Sequence, residues 1–433
     1  MGPNVVVETD LVEGGHSNSF SHRKVVALVP ACNEAESIEQ TIHSLMAQTY
    51  PFEYVRVIAN NCTDGTVAIV QRLQAEYENL GRNELQLLVM SENKHMKSGA
   101  LNYGFATVGE DIEFLFGMDA DTIVDERMVE EGIRQFEAEP KTGGICSAYR
   151  TLPLASTATH WQRLLWRLQN IEFTLANAWR VENYKSARVL PGVSVLFRTE
   201  ALIEVAALEL IVQETAVKHG RRALRKRSAR QIRERALTKF QEYKLEAGAL
   251  RRLVAEANRP LEVWATDSLV EDYHLTLDLK DIGWQVKSSL DMISWSDVPL
   301  KLRGKGGLWD QRQRWYSGTV DEIRLRRFKE HSRYEIFTIA LLMLNLAMRF
   351  VLVGAYLILA IEGVPVQWVS FFLALPILAA ATQLYRLKGG DQLDKWQKMM
   401  TATLVMNEMY AFYRELIYAN SIRVSFLHPN REW

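Results

Sequence analysis

Four short apolar runs, alternating with stretches of helical periodicity, constrain the fold of this chain more than any other feature. The runs stand at residues 25–30, 54–59, 85–90 and 112–118 (VVALVP, YVRVIA, LQLLVM and IEFLFGM). Each has the length and composition of a β-strand. After the first run, apolar residues recur at helical spacing from Ile38 to Met46. Strands that alternate with helices predict an α/β fold with a parallel sheet, in which ligands bind at the carboxyl ends of the strands.

The overall composition narrows the class of protein. A chain of 433 residues can hold a large catalytic domain with additions, and its formal net charge of -1 does not predict a nucleic-acid partner. Cys32, Cys62 and Cys146 form an odd set without metal-binding spacing, which indicates reduced cytosolic thiols. Residues 1–23 are polar and lack a basic start followed by an apolar stretch. We therefore expect a flexible N-terminal tail, with neither a signal peptide nor an N-terminal membrane anchor.

Residues 207–260 differ from the rest of the chain in charge. Lys and Arg clearly outnumber Asp and Glu there, glycine is rare, and apolar residues recur at helical spacing from Leu237 to Leu253. The pattern predicts a basic helical hairpin inserted into the catalytic domain. Its basic face is either solvated or an oligomer contact, or it contacts anionic lipid headgroups.

Two apolar segments near the C-terminus, residues 336–361 and 364–385, each have the length of a bilayer-spanning helix. Basic residues flank the pair on both outer sides, and the connector around Glu362 and Gly363 has none. The positive-inside rule therefore predicts a membrane hairpin with both ends, and the catalytic domain, in the cytoplasm. Two buried core helices of a soluble protein are the alternative.

Two further features bear on this C-terminal region. Arg349 falls near the middle of the first predicted span, where a charge needs a partner, water or a helix-packing seam. Residues 396–421 combine aromatic and Met residues with Glu408, Arg414 and Glu415, which suits a helix at the membrane interface better than a third span.

Asp119 and Asp121 directly follow the apolar run FLFGM. Two carboxylates one residue apart at a strand end can direct oxygens to one hard cation. Such a cation can bridge a diphosphate and stabilise the charge that develops when a sugar departs. Carboxylates at this spacing are also common on protein surfaces, so the pair requires further motifs to indicate function.

Six motifs occur in order along the chain. They are VPACNE (29–34), VIANNCTDGT (57–66), NKHMKSGALN (93–102), LPGVSVLFRTEA (190–201), VEDYHL (270–275) and QRQRW (311–315). In this order and spacing they resemble the family two glycosyltransferases with a GT-A (Rossmann-like) fold, especially the cellulose, hyaluronan and chitin synthase branch. The resemblance covers roughly residues 24–320 apart from the insertion. It implies a GT-A catalytic domain over 24–330, followed by membrane-associated helices over 331–433.

The resemblance implies a donor site at the first three motifs. Pro30, Asn33 and Glu34 match the loop that holds the nucleotide, although Asn33 could instead cap a helix. Asn60 stands where this branch usually has an Asp on the uracil-ribose side, and an amide can both donate and accept. Lys97 matches a lysine that meets the donor, where a point charge suits phosphate. Asp64 matches a residue that more often shapes a turn than binds ligand.

The resemblance also implies the reacting groups. Asp119 and Asp121 match the motif for a metal, Mg²⁺ or Mn²⁺, and for the diphosphate. Glu271 and Asp272 match the motif that ends with the catalytic base, here Asp272, which would take the proton of the acceptor hydroxyl. One direct displacement inverts the anomeric centre. His274, two residues further on, is interpreted as a packing residue.

Gln311, Arg314 and Trp315 match the Q-x-x-R-W motif of the same family. These positions share one face of a helix, so the three side chains can act together. Arg314 offers planar donors for a diphosphate, and Trp315 offers a flat surface for a sugar. A buried tryptophan on an amphipathic helix is the structural alternative.

These features predict an inverting transferase that moves a hexose-type sugar from a UDP-sugar to a glycan, lipid or protein acceptor at the cytoplasmic membrane face. A processive polysaccharide synthase is an open alternative, although one predicted hairpin lines a channel only if several subunits assemble into a homo-oligomer. A non-catalytic nucleotide-sugar-binding scaffold is a second alternative. An NAD-dependent oxidoreductase is excluded because PACNEAES, after the first run, contains no glycine to cradle a dinucleotide.

Overall fold

The computed structural model of the protein describes residues 23–182, 187–218, 226–246, 248–257, 260–326, 330–363, 381, 385, 393–402 and 405–427. The predicted tail therefore lies outside the described residues except for Arg23. The second predicted span, 364–385, also lies outside them except for positions 381 and 385.

An eight-stranded mixed sheet forms the centre of the described chain. Its strands are β1 (Val25–Ala31), β2 (Tyr54–Asn60), β3 (Leu85–Met90), β4 (Phe114–Met118), β5 (Thr122–Val124), β6 (Thr142–Thr151), β7 (Ser194–Arg198) and β8 (Gln285–Ser296). They are arranged in the order β3-β2-β1-β4-β7-β6-β8-β5. The four apolar runs of the sequence correspond to β1–β4, which pair in parallel. The α/β fold class is confirmed.

The prediction of a parallel sheet is wrong for the half of the sheet that contains β5 to β8. Strand β7 runs antiparallel to both β4 and β6, and β5 runs antiparallel to β8, while β6 and β8 are parallel. The fourth strand also begins at Phe114 rather than at 112, because Ile112 closes a turn with its N–H on the carbonyl of Gly109.

Helices cover both faces of the sheet. They are α1 (Ile38–Met46), α2 (Thr66–Asn79), α3 (Met96–Phe105), α4 (Met128–Ala138), α5 (His160–Glu182), α6 (Thr199–Lys218), α7 (Lys226–Lys244), α8 (Ala249–Ala255) and α9 (Glu271–Asp281). Every residue of β1 is buried, and Leu28 and Val29 belong to different apolar clusters on opposite sides of the sheet. Burial on both faces explains why β1 is a continuous apolar run rather than an alternating one.

The segment predicted as a basic insertion is helical, and part of it belongs to the core. Helix α6 begins at Thr199, directly after β7, and buries Val205, Leu208 and Ile211 against the sheet. Phe240 of α7 is also fully buried in that cluster. The apolar face of these helices therefore extends the core of the α/β domain. The basic residues of α7 do not all face solvent, since Arg233 is buried in ion pairs with Glu209 and Asp278.

The C-terminal part is formed by α10 (Leu308–Leu325), α11 (Glu330–Ile361), α12 (Lys395–Ala402) and α13 (Val405–Leu427). Within α11, Arg333–Ile361 is long and apolar enough to cross a membrane, and its side chains are mostly exposed. A buried core helix of a soluble protein does not fit that exposure. Arg349 of α11 is paired, as its position requires, with Glu408 and Glu415 of α13.

The segment predicted as one interfacial helix, 396–421, corresponds to α12 and most of α13. Helix α13 packs along α10, where Tyr418 stacks on Tyr316 at 4.4 Å between ring centroids. Ser425 adds a hydrogen bond of 3.2 Å from its hydroxyl to the carbonyl of Ser317. One face of α13 is therefore buried against α10.

Candidate active site

A cleft of about 360 Å³ opens at the carboxyl ends of β1 and β4. The parallel sheet places Pro30 at the end of β1, and Gly117 and Met118 at the end of β4. The cleft is lined by these residues and by Lys97, Gly192, Trp264, Glu271 and Asp272. Four of the six motifs, which are far apart in the sequence, thus meet at one place.

Lys97 links the predicted metal motif to the predicted base motif. Its Nζ forms an ion pair with Asp119 Oδ1 and lies 3.4 Å from Glu271 Oε1. Gly192 permits this arrangement, since a Cβ at that position would approach Lys97 Nζ to 2.6 Å. Burial would lower the pKa of Lys97, but Asp119 and Glu271 outweigh it and raise that pKa. The ammonium is therefore charged when it faces the cleft.

Asp121 has an environment that suits a cation. Burial, and then the charges of Asp119 and Glu34, raise the pKa of its carboxyl to about 7 against the opposing charge of Lys97. Asp297, which follows β8 and was not singled out in the sequence, acts in the same direction. Crowded, partly desolvated carboxylates are the ligands that Mg²⁺ and Mn²⁺ prefer. The residues present therefore fit a divalent metal held by Asp119 and Asp121.

Asp272 lies at the start of α9 and is held by backbone groups. Its Oδ2 accepts a hydrogen bond from the Gly192 N–H at 3.1 Å, and its Oδ1 accepts one from the Tyr273 N–H at 2.7 Å. Burial and then the neighbouring Glu271 raise the pKa of Asp272 to about 6, against the opposing effects of Lys97 and the two N–H groups. A fixed carboxylate with this pKa is suited to accept a proton near neutral pH.

Val270, which precedes the Glu271–Asp272 pair, packs directly on α10. Gly318 makes this contact possible, because a Cβ there would come within 2.7 Å of both methyl carbons of Val270. Trp315 packs against the same cluster, which contains Val270 and Tyr273. The Q-x-x-R-W helix and the base motif are therefore immediate neighbours.

The loop after β1 has the compact form expected of a ligand-binding turn. Asn33 adopts a φ of 60°, and its Oδ1 accepts a hydrogen bond from the Thr63 N–H at 2.7 Å. It does not cap α1, whose N-cap residue is Ser37. Asp64 accepts bonds from the N–H groups of Thr66 and Ala35, which is the turn-shaping arrangement that the sequence suggested. Burial raises the pKa of the adjacent Glu34.

Asn60 is oriented by a residue that the sequence did not single out, Asn93. The Oδ1 of Asn93 accepts the His95 N–H at 2.9 Å, and its Nδ2 donates to the carbonyl of Met96 at 2.7 Å. The same Nδ2 therefore donates to Asn60 Oδ1 at 2.8 Å. These backbone partners fix both amide orientations, so that the oxygen of Asn60 is engaged and its Nδ2 is the group left to meet a ligand.

Helix α10 places the three residues of the Q-x-x-R-W motif differently. Gln311 and Trp315 are partly buried, whereas Arg314 is exposed. The fully buried residue of the motif is Arg312, whose Nη1 donates to Gln311 Oε1 at 2.6 Å. Its guanidinium also lies over the Trp315 ring at 4.2 Å from the centroid. The spacing of Gln311, Arg314 and Trp315 on one helical face did not indicate that Arg312 is the buried residue of the motif.

His274 belongs to a buried ionic cluster rather than to an apolar packing site. Its Nδ1 lies 2.8 Å from Glu322 Oε1, and its Nε2 lies 3.3 Å from Asp278 Oδ2. Glu209, His274 and Asp278 have ligand atoms within 4.8 Å of one another, a spacing that a metal ion could bridge. Arg233 and Arg326 already form ion pairs with Asp278, however, so protein cations compensate its charge.

The three cysteines Cys32, Cys62 and Cys146 are free thiols, in agreement with the absence of a disulfide framework. The hydroxyl of Ser288 lies 3.1 Å from the sulfur of Cys146, which is buried in the core. No part of the candidate site therefore depends on a cross-link.

Comparison with known proteins agrees with these motifs. Residues 26–204 match the sequence model of the Glycosyl transferase family 2. The poly-beta-1,6-N-acetyl-D-glucosamine synthase of Staphylococcus aureus (strain COL) is 24% identical over 322 residues, or 74% of this chain and 60% of that protein. The synthase of the same description from Staphylococcus epidermidis is 23% identical over 313 residues, 71% and 58% respectively. The chain spans about 60% of the length of these relatives.

Solved structures that are similar to the chain include a mannosyltransferase and a fragment of TarS. One is the mannosyltransferase PcManGT from Pyrobaculum calidifontis in complex with GDP-Man and Mn2+, with 17% identity, 90% and 88% coverage of the two chains and a TM-score of 0.48. The other is S. aureus TarS 1-349 in complex with UDP-GlcNAc, with 13% identity, 92% coverage of each chain and a TM-score of 0.39. On the family match and the curated relatives, the resemblance of this chain to the family two glycosyltransferases is confirmed.

Proposed function

We propose that this protein transfers a hexose-type sugar from a nucleoside-diphosphate sugar, with a UDP-sugar as the first candidate, to an acceptor hydroxyl. The observation that supports this most strongly is the meeting of Lys97, Glu271 and Asp272 in one cleft at the carboxyl ends of β1 and β4, where Lys97 also pairs with Asp119. A diphosphate needs cations and a hydroxyl nucleophile needs a base, and both are provided within a few ångströms of each other.

In the proposed reaction Asp272 accepts the proton of the acceptor hydroxyl while that oxygen forms a bond to the anomeric carbon. The bond from the anomeric carbon to the diphosphate oxygen breaks, and the nucleoside diphosphate leaves with the electron pair. A single displacement inverts the anomeric configuration. The hydrogen bonds from the Gly192 and Tyr273 N–H groups keep the carboxylate oriented during the transfer.

Asp119 and Asp121 would hold the divalent metal, Mg²⁺ or Mn²⁺, in this reaction. When bound, the metal neutralises the charge that develops on the leaving diphosphate. Lys97 adds a second positive charge on the same side of the cleft, beside Asp119. The exposed Arg314 and the ring of Trp315, on the helix next to the base, would meet the diphosphate and a sugar ring.

The pH profile of the reaction follows from the raised pKa of Asp272. Protonated Asp272 cannot accept a proton, so kcat/KM should fall about tenfold per pH unit below about 6 and level off above it. The measurement is kcat/KM between pH 4.5 and 8, with protein stability checked at each pH. A profile with no acid limb near pH 6, in a protein that stays folded, would contradict the assignment of Asp272.

N-acetylglucosamine is the first sugar to test, because the curated relatives are named as synthases of an N-acetylglucosamine polymer. The names of those relatives also favour processive synthesis on a glycan acceptor. Single transfer to a lipid or protein acceptor is the alternative, and we weigh the two equally. Asn60 offers Nδ2 where the family usually has a carboxylate, so nucleotides with other bases belong in the same test.

A donor screen tests the proposed function. Release of nucleoside diphosphate is measured with Mn²⁺ for a panel of UDP-, GDP- and ADP-sugars, and the product is sized by mass. We expect release from one donor class, above all from UDP-N-acetylglucosamine. A ladder of products would establish processive synthesis, and a single mass increment would establish single transfer. Tight donor binding without release from any donor would instead support the scaffold alternative.

We also propose that α11 attaches the protein to a membrane, with the catalytic domain on the cytoplasmic side. The support is the length, hydropathy and exposure of Arg333–Ile361, together with the basic residues that flank it. We expect the full-length chain to stay with membranes after extraction at alkaline pH. Release into the supernatant would show that α11 only lies on the surface.

A further inference from the structure

Helix α13 contacts two parts of the protein through charged and polar side chains on different faces. On one face, Glu408 accepts a hydrogen bond of 2.6 Å from Arg349 of α11, and Glu415 forms an ion pair with the same guanidinium at 3.1 Å. On another face, Tyr410 and Arg414 reach Glu172 of α5. The long apolar helix and the catalytic domain are therefore joined through α13.

Glu172 is the point at which these contacts converge. Its Oε1 lies 2.7 Å from Arg414 Nη1, and its Oε2 accepts bonds from Tyr410 at 2.6 Å and from Arg312 Nη2 at 3.0 Å. Only 17% of its side chain is exposed. Burial would raise the pKa of Glu172, but Arg312 and Arg414 outweigh it and lower that pKa to about 2. The carboxylate is thus ionised at neutral pH.

Arg312 connects Glu172 to the other residues of the Q-x-x-R-W motif. The side chain is fully buried, so its position depends on the partners that surround it. One nitrogen binds Glu172, another donates to Gln311, and the flat guanidinium stacks on the ring of Trp315. A planar, delocalised cation can satisfy all three contacts at once, which a lysine could not.

We propose that Glu172 is a positioning residue for the candidate active site. It holds Arg312, which orients Gln311 and Trp315 toward the bound sugar. Glu172 is itself held in place by Tyr410 and Arg414 of α13. The inference rests on the proposed function. Glu172 does not line the cleft, so its expected effect is on the geometry of the substrate site through Arg312. Tyr410 and Arg414 are the residues through which that geometry depends on α13.

Glu172→Gln tests this role, because the amide keeps the size of the side chain and removes its charge. We expect the KM for the donor, with UDP-N-acetylglucosamine as the probe, to rise about tenfold, with kcat of the folded enzyme changed less than about threefold. A role in folding alone would lower the active fraction, and hence the apparent kcat, at unchanged KM. Circular dichroism and the melting temperature report the folded fraction.

Tyr410→Phe serves as a second variant in case Glu172→Gln fails to fold, since it removes one hydroxyl from the same carboxylate. It should raise KM by about two- to threefold. Glu408→Gln is the matched control: it removes a carboxylate from an arginine pair on the same helix without touching Glu172, and its KM should equal that of the wild type.

The outcomes separate this inference from the proposed function. Absence of turnover by the wild type with every nucleotide sugar would refute the proposed function. Wild-type turnover, with an unchanged KM in both Glu172→Gln and Tyr410→Phe, would refute the positioning role alone. An equal rise of KM in Glu408→Gln would also refute it, because the effect would then come from any disturbance of α13.

Discussion

Replacing Asp272 with Asn should lower the rate of sugar transfer by about 10³-fold or more while the donor still binds, since the amide cannot accept the acceptor proton. The change is nearly isosteric, and Asn can still accept a hydrogen bond from Gly192 or Tyr273. The measurement pairs the rate of nucleoside diphosphate release with the dissociation constant of the nucleotide sugar. We expect the first to fall and the second to stay within about threefold.

Asp267→Asn is the matched control for this experiment. The same substitution is made at Asp267, five positions earlier in the chain, where the side chain is exposed. Its turnover should equal that of the wild type. Undiminished turnover in Asp272→Asn would remove Asp272 as the base, and Glu271, its neighbour in the cleft, would then be the next residue to replace.

Asp119→Asn and Asp121→Asn should each lower turnover by about 10²-fold or more, and a chelator should stop the wild-type reaction. Each substitution removes a carboxylate from the site that would hold the metal, and charge stabilisation of a leaving diphosphate contributes several kcal/mol. Turnover is measured across a range of Mn²⁺ and Mg²⁺ concentrations. Excess metal should restore part of the activity if the variants retain a weakened site.

Asp111→Asn is the control for the two metal-motif variants. Asp111 is exposed and pairs with Lys24 at the surface, on the segment that leads into β4. Its turnover should not change, because an exposed pair contributes little. Full activity of the wild type in chelator, after removal of bound metal, would refute the metal role of Asp119 and Asp121.

The carboxylate of Asp121, which is expected to promote turnover, is expected to lower the stability of the metal-free protein. The pKa of Asp121 in the folded protein, about 7, lies above the value near 3.9 expected in the unfolded chain. The folded state therefore binds this proton more tightly, and metal-free protein should lose stability as pH rises from about 4 to 7. Asp121→Asn should consequently raise the melting temperature of metal-free protein at neutral pH. A lowered melting temperature would show that Asp121 is not under electrostatic stress.

Much of the parallel half of the fold could be predicted from the sequence. Strands such as β1 and β4 are buried on both faces, and that burial produces uninterrupted apolar runs that are visible without a structure. The antiparallel placement of β7 was not visible, because five residues between Ser194 and Arg198 do not specify which strands they pair with. The core role of α6 was not visible either, because its second half falls in the segment 207–260, which stands out by the basic charge of its later residues.

Those residues of the candidate site that belong to short sequence motifs could be predicted. Asp119, Glu271 and Asp272 could be named because each belongs to a short motif at the end of a strand or the start of a helix. Arg312 could not, because its role depends on Glu172, which lies 140 positions earlier in the chain. Only tertiary structure brings such pairs together. The one available signal was a second arginine within the motif, three positions before Trp315.

The most direct test of sugar transfer follows the sugar itself. The purified protein is incubated with UDP-N-acetylglucosamine carrying ¹³C in the sugar, Mn²⁺ and an N-acetylglucosamine oligomer as acceptor, in parallel with Asp272→Asn. The product is analysed by mass spectrometry and by NMR of the new anomeric centre. We predict a labelled product with inverted, β configuration in the wild type and none in the variant. A labelled product of α configuration, or equal product in both proteins, would contradict direct displacement with Asp272 as the base.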